Sequence, residues 1–365
     1  MKRCKDKFLK RLNLPIRRNL KLFIVKFVMK SNKKMKTKTI FKKYYPFLML
    51  LVFSATMFWG IAVTVVKSPS IASTVINPDT LKIVQLTDVH YATKGANKGS
   101  RMRAYSGDLL KDAIIQINAI PDVDMVVFSG DSIDNPVKSD LIAFAKIANT
   151  LKYPWYNALG NHEVGVGGGL SKEAFFQILS GINLNYSSLA FLRPYYVIAP
   201  KKDYRIIFMD GVINTKISSN GYFSEEQLLW LEEKLIRYKN KKVIIVQHFP
   251  LVEPIKSPSH KVLNDKKYLD ILDKYNNVVA VLAGHYHCGK TVKRNGVLHI
   301  TTPALVQYPN AFSVIKISPC GTASTKIEIE LKDTNLKNVQ AQSKAALGAN
   351  AKYIKKSGFQ TFYCP

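Results

Sequence analysis

Apolar segments rich in β-branched residues recur from residue 81 to residue 331. In the first half of this range they alternate with segments whose apolar residues have helical spacing. Helices are predicted over residues 101–119, 138–151, 224–238 and 262–275. Strands are predicted over residues 81–87, 124–128, 153–158, 194–198, 204–209, 243–246, 278–283, 311–317 and 325–331, with a hairpin at 292–298. Alternating strands and helices are typical of an α/β domain with a mostly parallel sheet.

Polar side chains directly follow five of these predicted strands. The residues concerned are Asp88, His90, Asp131, Asn161, His162, His248, His285 and His287. They include five of the seven histidines in the chain, and only His260 and His299 lie elsewhere. Because open α/β sheets bind ligands at the carboxyl ends of their strands, we expect these side chains to form one site.

Imidazole, carboxylate and amide ligands favour Fe, Mn or Zn. The Asp-x-His and His-x-His spacings are expected to place two ligands on one side of a strand end, because side chains alternate with period two. Even seven of these eight side chains are too many ligands for one ion, and a carboxylate can bridge two ions that together act on a phosphoryl group. No Cys-x-x-Cys pair is present, which argues against a zinc ribbon. A disulfide between Cys320 and Cys364 and unpaired thiols are both open alternatives.

The same blocks carry a resemblance to a known family. Asp88-Val89-His90, Gly130-Asp131, Gly160-Asn161-His162-Glu163, His248 and Gly284-His285-Tyr286-His287 resemble, in order, the calcineurin-like metallophosphoesterase superfamily over about residues 81–317. Residues 208–211, 221–224 and 302–304 are similar to its class III cyclic-nucleotide phosphodiesterase branch. Where that branch commonly has aspartate, this chain has Glu163, which we interpret as a tolerated change away from the metal.

The resemblance implies a four-layer αββα sandwich of two mixed sheets and a site with two divalent or trivalent ions (Fe, Mn or Zn). It implies that Asp88, His90 and His287 hold the first ion. It likewise assigns Asn161, His248 and His285 to the second ion, with Asp131 bridging the two. His162 is implied to be catalytic, near the leaving-group oxygen, as a general acid or charge donor. A metal-bridging hydroxide is implied to attack phosphorus.

The N-terminal region has a different composition. Residues 1–43 carry 17 Lys/Arg and one acid, and Pro46–Val66 is a stretch of 21 uncharged residues, close to the roughly 20 needed to cross a bilayer. We predict a signal anchor, with a cleaved signal peptide as the alternative. The predicted segments are a basic cytoplasmic tail (1–45), a transmembrane helix (46–66), a linker (67–80), the phosphoesterase domain (81–332) and a C-terminal tail (333–365). Basic flanks stay in the cytoplasm, so a single-pass cell-membrane protein with an extracytoplasmic catalytic domain is expected.

These features predict a membrane-anchored dinuclear phosphoesterase that hydrolyses phosphodiesters or phosphomonoesters. The alternatives are a cyclic-nucleotide phosphodiesterase, a lipid-linked or sugar-nucleotide pyrophosphatase, and a non-catalytic scaffold on the same fold. The expected partners are a phosphoester substrate and the membrane, the latter through the N-terminal helix and the basic tail. Over half of the net charge of +29 lies in that tail, so nucleic acid is not an expected partner. The oligomeric state is left open.

Overall fold

The computed structural model of the protein describes residues 79–186, 193–321, 324–354 and 358–364. The predicted tail (1–45) and membrane span (46–66) lie outside these ranges, as does the predicted linker except for its last two residues. Within the described ranges, no helix has the length and apolar character needed to cross a membrane.

Twelve strands are present in the described residues. In chain order they are β1 (Leu81–Leu86), β2 (Met125–Phe128), β3 (Trp155–Asn157), β4 (Tyr196–Ile198), β5 (Tyr204–Phe208), β6 (Lys242–Val246), β7 (Val278–Ala283), β8 (Lys290–Arg294), β9 (Val297–Thr301), β10 (Ala311–Cys320), β11 (Ser324–Asp333) and β12 (Phe359–Cys364). One sheet has the order β12-β11-β10-β1-β2-β3, and the other has the order β4-β5-β6-β7-β9-β8. Strands β1 to β3 run parallel, as do β5, β6, β7 and β9, and the other neighbours are antiparallel. Two mixed sheets confirm the predicted α/β architecture.

Six α-helices accompany these sheets in the described ranges. They are α1 (Ser106–Ala119), α2 (Lys138–Ala148), α3 (Lys172–Ile182), α4 (Glu225–Arg237), α5 (Asp265–Lys274) and α6 (Lys337–Leu347), with 3-10 helices at Arg103–Tyr105, Leu184–Tyr186 and Gly348–Tyr353. Helix α2 packs against both α1 and α3, and α4 packs against α5. The first group follows strands of one sheet and the second follows strands of the other.

A buried polar contact ties the two sheets together beneath the predicted site. The Gln85 side chain, at the end of β1, is fully buried and donates through Nε2 to the carbonyl of Ala283, at the end of β7, at 2.9 Å. Its Oε1 accepts a hydrogen bond from the Thr302 hydroxyl at 2.9 Å. Because buried amides need partners, these bonds fix the carboxyl ends of the two strands next to each other.

The C-terminal segment differs from the prediction. Residues 333–365 were expected to be a tail, but the described part contains α6 and β12, which pairs antiparallel with β11 at the edge of the first sheet. Only two residues of α6, Val339 and Ser343, are buried, and one residue of β12 is. The segment therefore lacks the apolar pattern by which a helix or strand is recognised in a sequence.

The cysteines of the described residues, Cys288, Cys320 and Cys364, are free. Across the β10–β11 pair Cys320 lies opposite Ser324, whereas Cys364 lies opposite Thr325 in the β11–β12 pair. Of the two alternatives for Cys320 and Cys364, the structure therefore has the unpaired thiols.

Candidate metal centre

The structure brings six of the predicted ligands together in two groups. Asp88, His90 and His287 form the first triad, in which the candidate ligand atoms lie within 4.8 Å of one another. Nε2 of His287 lies 3.2 Å from Nε2 of His90 and 3.2 Å from Oδ1 of Asp88. The second triad, with the same spacing limit, contains Asp131, His248 and His285.

Asp131 belongs to the second triad and also faces the first. Its Oδ2 is 3.2 Å from Nε2 of His248 in the second triad and 3.7 Å from Nε2 of His90 in the first. Its Oδ1 accepts the backbone N–H of His162 at 3.0 Å, which fixes the carboxylate plane. One carboxylate oxygen is thus turned toward both groups of ligands, as a bridging ligand requires.

Histidines in both triads are held on the side that faces away from the centre. Nδ1 of His248 lies 2.9 Å from the carbonyl oxygen of Ser129, and Nδ1 of His287 lies 3.3 Å from Oε1 of Gln307. Each acceptor favours a proton on Nδ1 and leaves the Nε2 lone pair directed inward. Metal-binding histidines are commonly oriented by such contacts.

Unpartnered oxygens show that the donor set fits metal ions. Oδ2 of Asp88 accepts hydrogen bonds from the Thr87 hydroxyl at 2.7 Å and the His285 backbone at 2.9 Å. Oδ1 of Asp88 and Oδ1 of Asn161 are buried but accept no hydrogen bond from any described residue. Buried acceptors without partners are costly unless a ligand meets them. Hard oxygen atoms beside imidazole nitrogens suit the Fe, Mn and Zn ions predicted from the sequence.

The backbone at the candidate ligands has an unusual conformation. Positive φ angles occur at Asp88 (50°), His90 (45°), Asp131 (51°), His285 (73°) and His287 (53°). Such angles are uncommon for residues other than glycine and cluster at functional sites. The expected alternation along a strand is therefore wrong, because β1 ends at Leu86 and β7 at Ala283, and left-handed turns beyond them direct the ligands inward.

Two motif glycines are required by the close packing of these turns. A Cβ atom at Gly160 would lie 2.2 Å from Oδ1 of Asp131, and one at Gly284 would lie 1.9 Å from the Thr87 hydroxyl oxygen. Neither distance is sterically possible, so the absence of a side chain lets the turns approach the ligands.

His162 lies beside the first triad. Its ring centroid is 4.5 Å from that of His90, at an angle of 84°, and its Nδ1 lies 2.6 Å from the carbonyl oxygen of Asp134. That carbonyl favours a proton on Nδ1 and leaves Nε2 for another partner. His162 is also partly exposed, so a substrate can reach it.

Asp134 is a site residue that the sequence reasoning missed. Its Oδ1 lies 3.3 Å from Nδ1 of His90, and its Oδ2 forms an ion pair with Arg103. His90, Asp134 and His162 also satisfy the distance limit for a metal group. Because Nε2 of His90 already faces the first triad, we interpret Asp134 as an outer partner that orients His90. Its position three residues after Asp131, in the same loop, is the signal that could have identified it.

Glu163 holds two of the site loops together. Its fully buried carboxylate accepts backbone N–H groups of Gly160 (2.6 Å), Asp131 (2.9 Å), Ser132 and Ile133 (3.3 Å). Burial and the charge of Asp131 raise the pKa of Glu163 to about 7, while the N–H groups of Gly160 and Ile133 lower it. Because these bonds are all donated to the carboxyl group, the loops are built around its ionised form.

The two aspartates are acidic in spite of their burial. Burial raises the pKa of Asp88, but the imidazoles of His287 and His248 lower it by a larger amount. The net pKa of Asp88 therefore lies below the usual value. Burial likewise raises the pKa of Asp131 and His248 lowers it, and the net pKa again lies below the usual value. Both carboxylates are therefore ionised at neutral pH, as metal ligands must be.

The imidazoles of His90 and His248 differ in their electrostatic surroundings. Burial lowers the pKa of His90 to about 4, although Asp134 and Asp131 oppose this shift. Burial also lowers the pKa of His248, but Asp131 outweighs it and the net pKa rises to about 9. The position of His248 beside Asp131 thus favours a positive charge. A bound cation would supply that charge in place of a proton on His248.

The two histidines left out of the predicted site have different positions. His260 lies next to the second triad, with its ring centroid 5.2 Å from that of His285. Burial, with Arg101 and His287 nearby, lowers the pKa of His260. His299 is buried within β9 and takes no part in either triad. Sequence reasoning missed His260 because it does not follow a strand.

Comparison with known proteins adds evidence of family. A family model described as calcineurin-like phosphoesterase matches residues 81–289. The chain is 29% identical to a probable glycerophosphodiester phosphodiesterase of Arcobacter nitrofigilis, over 60% of this chain and 76% of that protein. It is 24% identical to a probable cyclic nucleotide phosphodiesterase of Xenorhabdus bovienii, over 65% of this chain and 92% of that protein.

Among solved structures, a dimetal phosphatase from Danio rerio has a similar fold. The TM-score is 0.55 at 20% identity, and the match covers 71% of this chain and 96% of that one.

Proposed function

The chain belongs to the calcineurin-like phosphoesterase family and is a metal-dependent phosphoester hydrolase, and from this premise we propose that it cleaves phosphodiesters of small alcohols. The position of Asp131, with one oxygen turned toward both triads, carries the proposal of a dinuclear centre. The phosphodiesterase names of the two relatives above favour a diester over a monoester.

The proposed centre takes its ligands for two ions from seven residues. Asp88, His90 and His287 would hold one ion, and Asn161, His248 and His285 would hold the other, with Asp131 shared between them. Bound ions would polarise the phosphoryl group and lower the pKa of water. Fe, Mn and Zn remain the candidates, because the ligands are nitrogen and oxygen atoms.

His162 would act on the substrate rather than on a metal. The Asp134 carbonyl accepts from Nδ1–H, so Nε2 carries a proton only in the imidazolium form of His162; that proton would pass to the leaving alcohol oxygen and leave the neutral ring. The Glu163 carboxylate fixes the loops that carry Asp131 and His162. The proposed bridging ligand and the proposed proton donor are thereby held in fixed positions relative to each other.

The substrate class is tested with the full-length protein in detergent, loaded with Mn²⁺. We expect turnover of glycerophosphocholine and bis-p-nitrophenyl phosphate to exceed that of p-nitrophenyl phosphate. Cyclic AMP is the second candidate, favoured by the similarity to the Xenorhabdus protein. A preference for the monoester would reject the diesterase proposal, and no turnover with two ions bound would favour the non-catalytic scaffold.

The N-terminal region is proposed to anchor the enzyme in the cell membrane. The 21 uncharged residues of Pro46–Val66 and the basic residues before them support a single-pass helix with the N-terminus in the cytoplasm. The catalytic domain would then face away from the cytoplasm. In that orientation it could not reach a cyclic nucleotide made in the cytoplasm. Protease added to intact cells should degrade the domain, and complete protection would reject this orientation.

A further inference from the structure

His260 resembles His162 in its exposure. Of the seven histidines in the chain, five are buried, and only His162 and His260 are partly exposed. His162 lies beside His90 of the first triad, at 4.5 Å between ring centroids, and His260 lies beside His285 of the second triad, at 5.2 Å. The two accessible imidazoles therefore flank the metal centre next to different triads.

Serine side chains fix the orientation of the His260 ring. Nδ1 of His260 lies 2.9 Å from the hydroxyl oxygen of Ser259 and 3.2 Å from that of Ser257. When these hydroxyls donate to Nδ1, the neutral ring carries its proton on Nε2. Nε2 is then an N–H donor with no hydrogen-bond partner among the described residues.

The loop that carries His260 is itself tied to the site. Oε2 of Glu253 accepts the Ser257 backbone N–H at 2.9 Å and the Tyr286 hydroxyl at 3.0 Å. Tyr286 lies between the two ligands His285 and His287 in the chain. This shared carboxylate holds the loop over the turn that contains both ligands, so His260 occupies a defined position without binding an ion itself.

A second attachment holds the end of the same loop. The backbone N–H of Gly221 donates to the carbonyl oxygen of Lys261 at 3.0 Å, and Gly221 forms a parallel bridge with Val262. The Lys261 N–H in turn donates to Oδ1 of Asn220 at 3.1 Å. His260 is thus held from both sides, which is the arrangement expected for a residue that positions a ligand.

We propose that Nε2–H of His260 donates a hydrogen bond to the retained ester group of the phosphodiester substrate. This inference rests on the proposed function, in which His162 protonates the leaving alcohol. A diester carries a second, uncleaved ester group, and His260 is the accessible donor beside the other triad. His260 is therefore a specificity-determining residue, and Ser257 and Ser259 position it.

The test compares His260→Ala with His260→Gln in the full-length protein, loaded with Mn²⁺ in detergent. A side-chain hydrogen bond to a charged ligand is worth about tenfold or more in affinity. We expect the Ala variant to raise KM for bis-p-nitrophenyl phosphate about tenfold and to change kcat less than about threefold. It should also weaken competitive inhibition by phenyl phosphate, which carries the retained ester, about tenfold. The Gln variant places an N–H donor near the same point and should recover most of the affinity.

Controls separate substrate contact from structural effects. Ile255→Ala changes an exposed side chain of the same loop and should leave both constants unaltered. Metal content should be unchanged in every variant. The inference fails if His260→Ala retains wild-type KM and inhibition, or if it loses metal, since metal loss would mean that His260 only supports His285. An inactive wild type with both ions bound would instead reject the proposed function.

Discussion

Replacing Glu163 with glutamine should destabilise the domain without creating a cavity. Oε2 of Glu163 accepts the N–H groups of Gly160 and Asp131, and Oε1 accepts those of Ser132 and Ile133. A glutamine has one oxygen, so its NH₂ group would face two buried N–H donors. The side-chain volume is nearly the same, and the effect therefore isolates the hydrogen bonds.

The magnitude follows from the number of donors left without an acceptor. Each unsatisfied buried group costs roughly 1–3 kcal/mol, so two cost roughly 2–6 kcal/mol. Removing one carboxylate also relieves the repulsion between Glu163 and Asp131, which offsets part of this cost. We expect a net loss of about 3 kcal/mol, a large part of the roughly 5–15 kcal/mol of a typical domain.

The assay is urea unfolding at pH 8 with a chelator present, because bound metal would add its own stabilisation. Glu233→Gln, on the exposed surface of α4, is the matched control and should change the free energy of unfolding by less than about 0.5 kcal/mol. A Glu163→Gln value within about 0.5 kcal/mol of wild type would refute the reasoning. Such a result would mean that the carboxyl group is protonated in the native protein.

Three further predictions concern other residues. His162→Ala should keep both metal ions but lower kcat by about 100-fold or more, as measured by steady-state kinetics with metal analysis; loss of metal would show that His162 is a ligand. Gly284→Ala should cost about 2 kcal/mol in urea unfolding, because its Cβ would clash with the Thr87 hydroxyl 1.9 Å away; wild-type stability would contradict the packing described. Burial lowers the pKa of His299 from 6.5 to about 4. Between these pH values the unfolded chain binds more protons than the folded chain. The free energy of unfolding should therefore fall as the pH drops through this window, by about 3 kcal/mol for this group. His299→Gln should lose less stability than wild type between pH 7 and pH 4, and an identical pH dependence would contradict that assignment.

The sequence was sufficient to locate the candidate ligands because they follow buried strands. Segments such as residues 243–246 and 278–283 are continuously apolar, so their ends, and the histidines beyond them, could be identified by pattern alone. The structure then brings His248 and His285 together with Asp131. His248 and His285 follow neighbouring parallel strands of one sheet, whose carboxyl ends meet at one edge. Asp131 follows β2 of the other sheet, and the contact between Gln85 and Ala283 holds the strand ends of the two sheets next to each other.

Other features depend on contacts that have no local pattern. Asp88 and His90 have a left-handed backbone, and their N–H groups donate to the carbonyls of Gly130 and Asp131 in a loop distant in sequence. His260 reaches the centre through a loop held by Glu253 and Ser257. Strand β12 has a mostly exposed sequence and is defined by its pairing with β11. Such elements are determined by tertiary packing and were therefore missed.

The dinuclear centre is best tested by counting metal ions and turnover together in wild type and in Asp131→Asn. Elemental analysis of the full-length, Mn²⁺-loaded protein should give two ions per chain and hydrolysis of bis-p-nitrophenyl phosphate. The asparagine has a neutral side chain and should lose at least one ion together with nearly all activity, because Oδ2 of Asp131 faces both triads. Two ions retained in an active Asp131→Asn, or a fully active wild type with a single ion, would contradict the assignment.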